Sequence, residues 1–102
     1  MAALVAIGDG DGSVTTGHDC DTTTTTDECS SKVFITGVGV VRAGDKNTSH
    51  TINSGAGCPS HTVALSTFSE KVFSEGFGVG RTGDAYGAET ILGAGQNKVS
   101  AG

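Results

Sequence analysis

Residues 31–45 read Ser31-Lys32-Val33-Phe34-Ile35-Thr36-Gly37-Val38-Gly39-Val40-Val41-Arg42-Ala43-Gly44-Asp45, and residues 70–84 read Glu70-Lys71-Val72-Phe73-Ser74-Glu75-Gly76-Phe77-Gly78-Val79-Gly80-Arg81-Thr82-Gly83-Asp84. Matching positions are 39 residues apart. The offset continues at Thr51-Ile52 and Thr90-Ile91, then slips by one residue at Ala56-Gly57 and Ala94-Gly95. A partial third copy opens the chain, where Val5-Ala6-Ile7-Gly8-Asp9 echoes Val40 to Asp45 minus the arginine. Val, Ile, Phe and Thr favour strands and the Gly-Asp steps favour turns, so each copy reads as a β-hairpin. A unit this small cannot bury its own apolar face, and repeated units must pack on one another about a shared axis. The expected organisation is one mostly-β domain over 1–102, with repeats at about 31–57 and 70–95 and a partial copy at about 4–12.

Outside the repeats, composition sets limits. The chain has 102 residues, of which 17 are glycine, one is proline and none is tryptophan. A domain of this size hides roughly 60–65% of the surface of its unfolded chain, so the core is thin. A metal, a crosslink or a partner surface is the usual additional support. Six basic against eleven acidic residues give a net charge of −5, with no basic run to hold a nucleic acid. No stretch approaches the roughly 20 apolar residues of a membrane span. Residues Met1 to Asp9 lack a basic region and turn polar early, so no export signal is expected there.

The histidines and cysteines carry the chemistry. His50, Cys58 and His61 are separated by seven and two residues, and Cys58-Pro59-Ser60-His61 is a tight element stiffened by the single proline. That short spacing resembles one knuckle of a structural zinc site. His18, from the first loop, completes a set of three imidazoles and one thiolate: His18, His50, Cys58 and His61. Zn²⁺ accepts this set in tetrahedral geometry, iron being the other candidate, and a filled shell marks a structural ion whose binding energy is folding energy. Cys20 is the substitute ligand, two residues from His18; Cys20 and Cys29 could otherwise close a short disulfide loop. In the second copy the metal-type side chains are absent: Glu89 stands at the place of His50, Asn97 at that of Cys58 and Ser100 at that of His61.

Other features have plainer readings. Asp19 to Ser31, with five consecutive threonines, reads as a solvated polar insert, the alternative being a strand face of hydroxyls. Asp9-Gly10-Asp11-Gly12 lacks the glycine and terminal acid of an EF-hand loop and reads as a turn. Arg42 and Arg81, each two residues before Gly-Asp, are expected to contact Asp45 and Asp84. Ser60 and His61 are neighbours that a strand points to opposite faces, and no nucleophile elbow or phosphate loop is present, so no enzymatic role is expected.

In order and repetition, Val33-Phe34, Gly37, Val40, Arg42 and Gly44-Asp45, with Gly17-His18 before them and His50, Cys58-Pro59 and His61 after, resemble PAAR-repeat proteins over essentially the whole chain. The second copy departs slightly, with Phe77 and Gly80, and the Thr-rich insert stands where relatives often carry proline-rich sequence. The resemblance implies a small cone of short strands with pseudo-three-fold symmetry. It would sit on the end of a trimeric β-helical spike, one copy per trimer, with an apical zinc held by three His and one Cys. The implied function is to sharpen the spike of a contractile injection apparatus, a phage tail or a type VI secretion system, for puncture of a cell envelope. The implied location is the tail or baseplate of a virion, reached without a signal peptide. The absence of a fused effector favours the phage version. The alternative is a zinc-stabilised adaptor that docks an effector or another tail protein on the spike.

Overall fold

The structure, a computed structural model, describes residues 3–102. It contains twelve short strands and no helix among the described residues: β1 (Ala3–Leu4), β2 (Ser13–Thr15), β3 (Thr23–Thr25), β4 (Phe34–Ile35), β5 (Val38–Gly39), β6 (His50–Thr51), β7 (Ser60–His61), β8 (Phe73–Ser74), β9 (Phe77–Gly78), β10 (Ala85–Tyr86), β11 (Glu89–Gly93) and β12 (Ser100–Ala101). Four form an antiparallel sheet in the order β10-β11-β2-β3, and the rest pair two by two. The molecule extends over 41 × 27 × 22 Å.

Two hairpins share one register. Hairpin β4–β5 pairs Phe34 with Gly39 and Ile35 with Val38; hairpin β8–β9 pairs Phe73 with Gly78 and Ser74 with Phe77. Both turns place two residues at positive φ, Thr36-Gly37 and Glu75-Gly76. That is the two-residue turn whose twist matches its strands. Gly39 and Gly78 are required by close approach, since a Cβ there would collide with the carbonyls of Ser30 and Ser69. In the pairing of β1 with β12, Leu4 meets Ser100 and Ala3 meets Ala101.

The copies join end to end in a closed order. The Ala6 amide donates to the Gly80 carbonyl at 2.8 Å, Gly80 to Val41 at 2.8 Å, and Val41 back to Ala6 at 3.0 Å. The bridges Val5 with Arg81, Ile7 with Val40, and Arg42 with Val79 run in the same order. The opening segment, Val5 to Ile7, thus meets both hairpin segments, and it also pairs with the end of the chain through Val99 and β12. In that segment Ile7, not a gap, occupies the place of Arg42 and Arg81, which corrects the position of the missing residue expected from sequence. Val5, Val40 and Val79 pack in one cluster with Ala101, while Ala6, Val14, Val41, Leu65, Tyr86 and Ile91 form the other.

Arg42 and Arg81 make the expected contacts. Arg42 donates from Nε and Nη2 to the two carboxylate oxygens of Asp45 at 3.0 Å each, and Arg81 to those of Asp84 at 2.8 and 3.0 Å. Bidentate pairs of this kind fix direction as well as distance. The Thr-rich insert is not simply a solvated loop: Thr23–Thr25 pair with β2 and Thr26 is fully buried, its hydroxyl donating to the Ile7 carbonyl at 2.5 Å.

Tyr86 is fully buried, and its hydroxyl has no hydrogen-bond partner among the described residues. Burial also pushes the phenol well above its ordinary pKa. An unpaired buried hydroxyl costs about 1–3 kcal/mol. Tyr86→Phe should therefore leave the fold intact and raise the urea midpoint, whereas a lower midpoint would show that the hydroxyl is paired.

Candidate metal centre

Hairpin β6–β7 sets His50 directly opposite His61, on paired strands. His18 approaches from the segment after β2, and Glu89 opens β11. Four separated segments thus deliver three imidazoles and one carboxylate to one place. Glu89 Oε2 lies 2.6 Å from His18 Nε2, 2.6 Å from His50 Nε2 and 3.1 Å from His61 Nε2. His61 Nε2 is 2.8 Å from His50 Nε2 and 3.3 Å from His18 Nε2. His50 and Glu89 are buried; His18 and His61 are partly open to solvent.

A surrounding set of hydrogen bonds fixes the donors. His50 Nδ1 donates to the Thr48 carbonyl at 2.8 Å and His18 Nδ1 to the Asp19 carbonyl at 3.1 Å. Neutral imidazoles used in this way present bare Nε2 lone pairs to the centre. Asn47, itself buried, donates to Glu89 Oε1 at 2.7 Å and accepts from the Val63 amide at 2.9 Å. Lone pairs of three nitrogens and an oxygen in such proximity repel unless a cation, a proton or a metal ion, lies among them. The four donor atoms lie within 4.8 Å of one another. Zn–N and Zn–O bonds of about 2.0–2.2 Å fit a cluster of that span. Three imidazoles and a carboxylate suit a divalent ion of the zinc or iron type better than Ca²⁺ or Mg²⁺, which prefer all-oxygen shells.

Burial opposes ionisation of Glu89, but hydrogen bonds from His50, His18 and Asn47 outweigh it and hold its pKa below the usual carboxylate value. Desolvation likewise opposes the charged form of His18, but its bonds to the Asp19 carbonyl and to Glu89 prevail and raise its pKa. In metal-free protein the His18 contribution is present at low pH and lost as pH rises through its raised value. The Glu89 contribution is present above the ordinary carboxylate value and lost as pH falls through the depressed one. Metal-free protein should gain most from the cluster between those two limits. Metal binding must displace the His18 proton, so metal affinity should rise with pH. Calorimetric titration in two buffers of different ionisation enthalpy should register more proton release at lower pH, and a release that does not change with pH would contradict the pairing.

Of the four ligands expected from sequence, the structure brings together His18, His50 and His61 and removes Cys58. Cys58 is bonded to Cys20, with Cα atoms 6.2 Å apart, so neither sulfur is a thiolate able to bind metal. This also excludes the Cys20–Cys29 loop that the sequence left open. Strand β3 carries the two cysteines away from each other: Cys20 bridges to Ile52, while Cys29 remains a free thiol near Gly8 and Gly39. Glu89 was missed as a ligand, although the repeat marks it as the counterpart of His50. The two equivalent positions converge on one point. Compared with protein-family models and with curated proteins, the chain matches none.

Proposed function

We propose that the protein is a non-enzymatic, metal-stabilised structural tip that caps a trimeric β-helical spike of a contractile injection apparatus, in the manner of the PAAR-repeat proteins it resembles. The observation that carries this reading is the cycle of backbone hydrogen bonds from Ala6 to Gly80, Gly80 to Val41 and Val41 to Ala6, which supports three like units within one chain. A single chain with three similar parts can offer each subunit of a homotrimer nearly the same surface, which one hairpin could not do. The pseudo-three-fold cone is the finer form of the reading, and a single zinc at His18, His50, His61 and Glu89 is its rigid anchor. The partner-facing surface is a groove lined by Val5, Val33, Val40, Val72, Val79 and Val99, beside Phe34 and Phe73, each 56% exposed. Exposed apolar surface of this kind marks an interaction site. The role is mechanical and involves no turnover.

Native mass spectrometry with a trimeric β-helical spike protein tests this. The expected species is one chain per trimer, and three chains per trimer would overturn it. Metal analysis of the purified protein should return one zinc per chain.

A further inference from the structure

Three of the four lysines recur at corresponding places in the three units. Ser30 Oγ accepts from the amides of Lys32 and Val33 at 3.1 and 3.0 Å. Ser69 Oγ accepts from those of Lys71 and Val72 at 3.1 and 2.9 Å. Gln96 Oε1 does the same for Lys98 and Val99, at 2.6 and 2.9 Å. The valine after each lysine continues the correspondence: Val33 accepts from the Val40 amide at 3.0 Å, Val72 from Val79 at 3.1 Å, and Val99 from Val5 at 2.9 Å. Lys32, Lys71 and Lys98 thus occupy one position repeated three times, each next to a valine that lines the apolar groove. The position before the lysine carries Ser31, Glu70 and Asn97, so it is the lysine that persists.

All three lysines are exposed, and none takes part in an ion pair among the described residues. Both arginines, in contrast, are tied to aspartates. On a chain of net charge −5, half of the six basic residues directly precede a valine that lines one apolar groove and make no ion pair among the described residues. Across an interface, charges at the rim select the partner and its rotational setting more than they add affinity.

We infer that Lys32, Lys71 and Lys98 form a cationic rim that reads a ring of carboxylates, one Asp or Glu from each subunit of a homotrimeric protein, around an apolar centre. The inference rests on the docking reading above and specifies the chemistry of its partner. A trimer supplies three like charges at like positions, matching a lysine that repeats once per unit. An anionic membrane would also attract lysines beside exposed phenylalanines, but it has no use for a threefold repeat.

The test uses the full chain and two probes: a homotrimeric β-helix with one glutamate per subunit at its blunt apolar end, and the same trimer with lysine there. Sedimentation should show wild-type protein binding the glutamate trimer at least ~10-fold more tightly than the lysine trimer, with the difference shrinking toward 1 M salt as screening shortens to about 3 Å. The Lys32→Glu/Lys71→Glu/Lys98→Glu variant should reverse the preference. Lys46→Glu, whose backbone amide bonds to Glu28, should leave the preference as in wild type. Metal content and melting temperature equal to wild type check that the variants are folded. Equal binding of both trimers by wild type, or an unreversed preference in the triple variant, overturns the rim while docking stands. Binding to neither trimer, or at three chains per trimer, overturns docking itself. Capture by phosphatidylglycerol vesicles in preference to the glutamate trimer overturns the inference in favour of a lipid surface.

Discussion

His50→Ala should abolish stoichiometric metal binding and lower the melting temperature by tens of degrees. His50 is the most buried of the three histidines, and its Nε2 sits 2.6 Å from Glu89. Its loss removes a ligand and leaves Glu89 a buried carboxylate with fewer partners. Structural zinc contributes about 10–16 kcal/mol of apparent binding energy in small domains. Whole domains are stable by only about 5–15 kcal/mol, so a chain that depends on the ion has little left without it. Chelation of the wild-type protein should reproduce the shift, and added zinc should reverse it. If chelated protein melts with the loaded protein, the ion is not a folding element. Asn47→Leu tests the outer contact: it should weaken metal binding at least ~10-fold, as loss of such an orienting partner does at other sites.

Cys20→Ser and Cys58→Ser should each destabilise the protein by the same large amount while retaining the metal. The bond spans 38 residues and ties the segment just after His18 to the segment just before His61. Loop-closure entropy for that length gives about 4 kcal/mol. At about 4–8 °C per kcal/mol for a domain of this size, that is roughly 15–30 °C. Either serine breaks the same bond, so the two variants should be interchangeable in both stability and metal content. If Cys58→Ser alone loses the ion, Cys58 is a ligand and the set of His18, His50, His61 and Glu89 is not the whole site.

The repeat was legible because strand propensity and turn chemistry act locally: Val33-Phe34 with Gly37, and Val72-Phe73 with Gly76, specify their hairpins without outside help. The three histidines were legible as a set because imidazoles in Gly/Ser/Thr-rich segments have no core to join. The fourth ligand was not, because a lone glutamate in sequence looks like a solvated surface charge. Only the fold reveals that Glu89 is buried and bonded to Asn47, 42 residues away. The cysteines failed for the opposite reason. Short spacing made Cys58 look like a knuckle ligand and Cys20 a partner for Cys29, yet sulfur pairing depends on distances set by β3 and by the Cys20–Ile52 bridge. The pairing of the opening segment with Val99 and β12 was not visible, since the two lie at opposite ends of the chain and only tertiary hydrogen bonds join them.

X-ray absorption spectroscopy of the metal-loaded protein measures the centre most directly. Three imidazoles and one carboxylate predict a shell of nitrogen and oxygen at about 2.0–2.2 Å with no sulfur scatterer. A sulfur at about 2.3 Å would instead return Cys58 or Cys20 to the centre and contradict the assignment of His18, His50, His61 and Glu89.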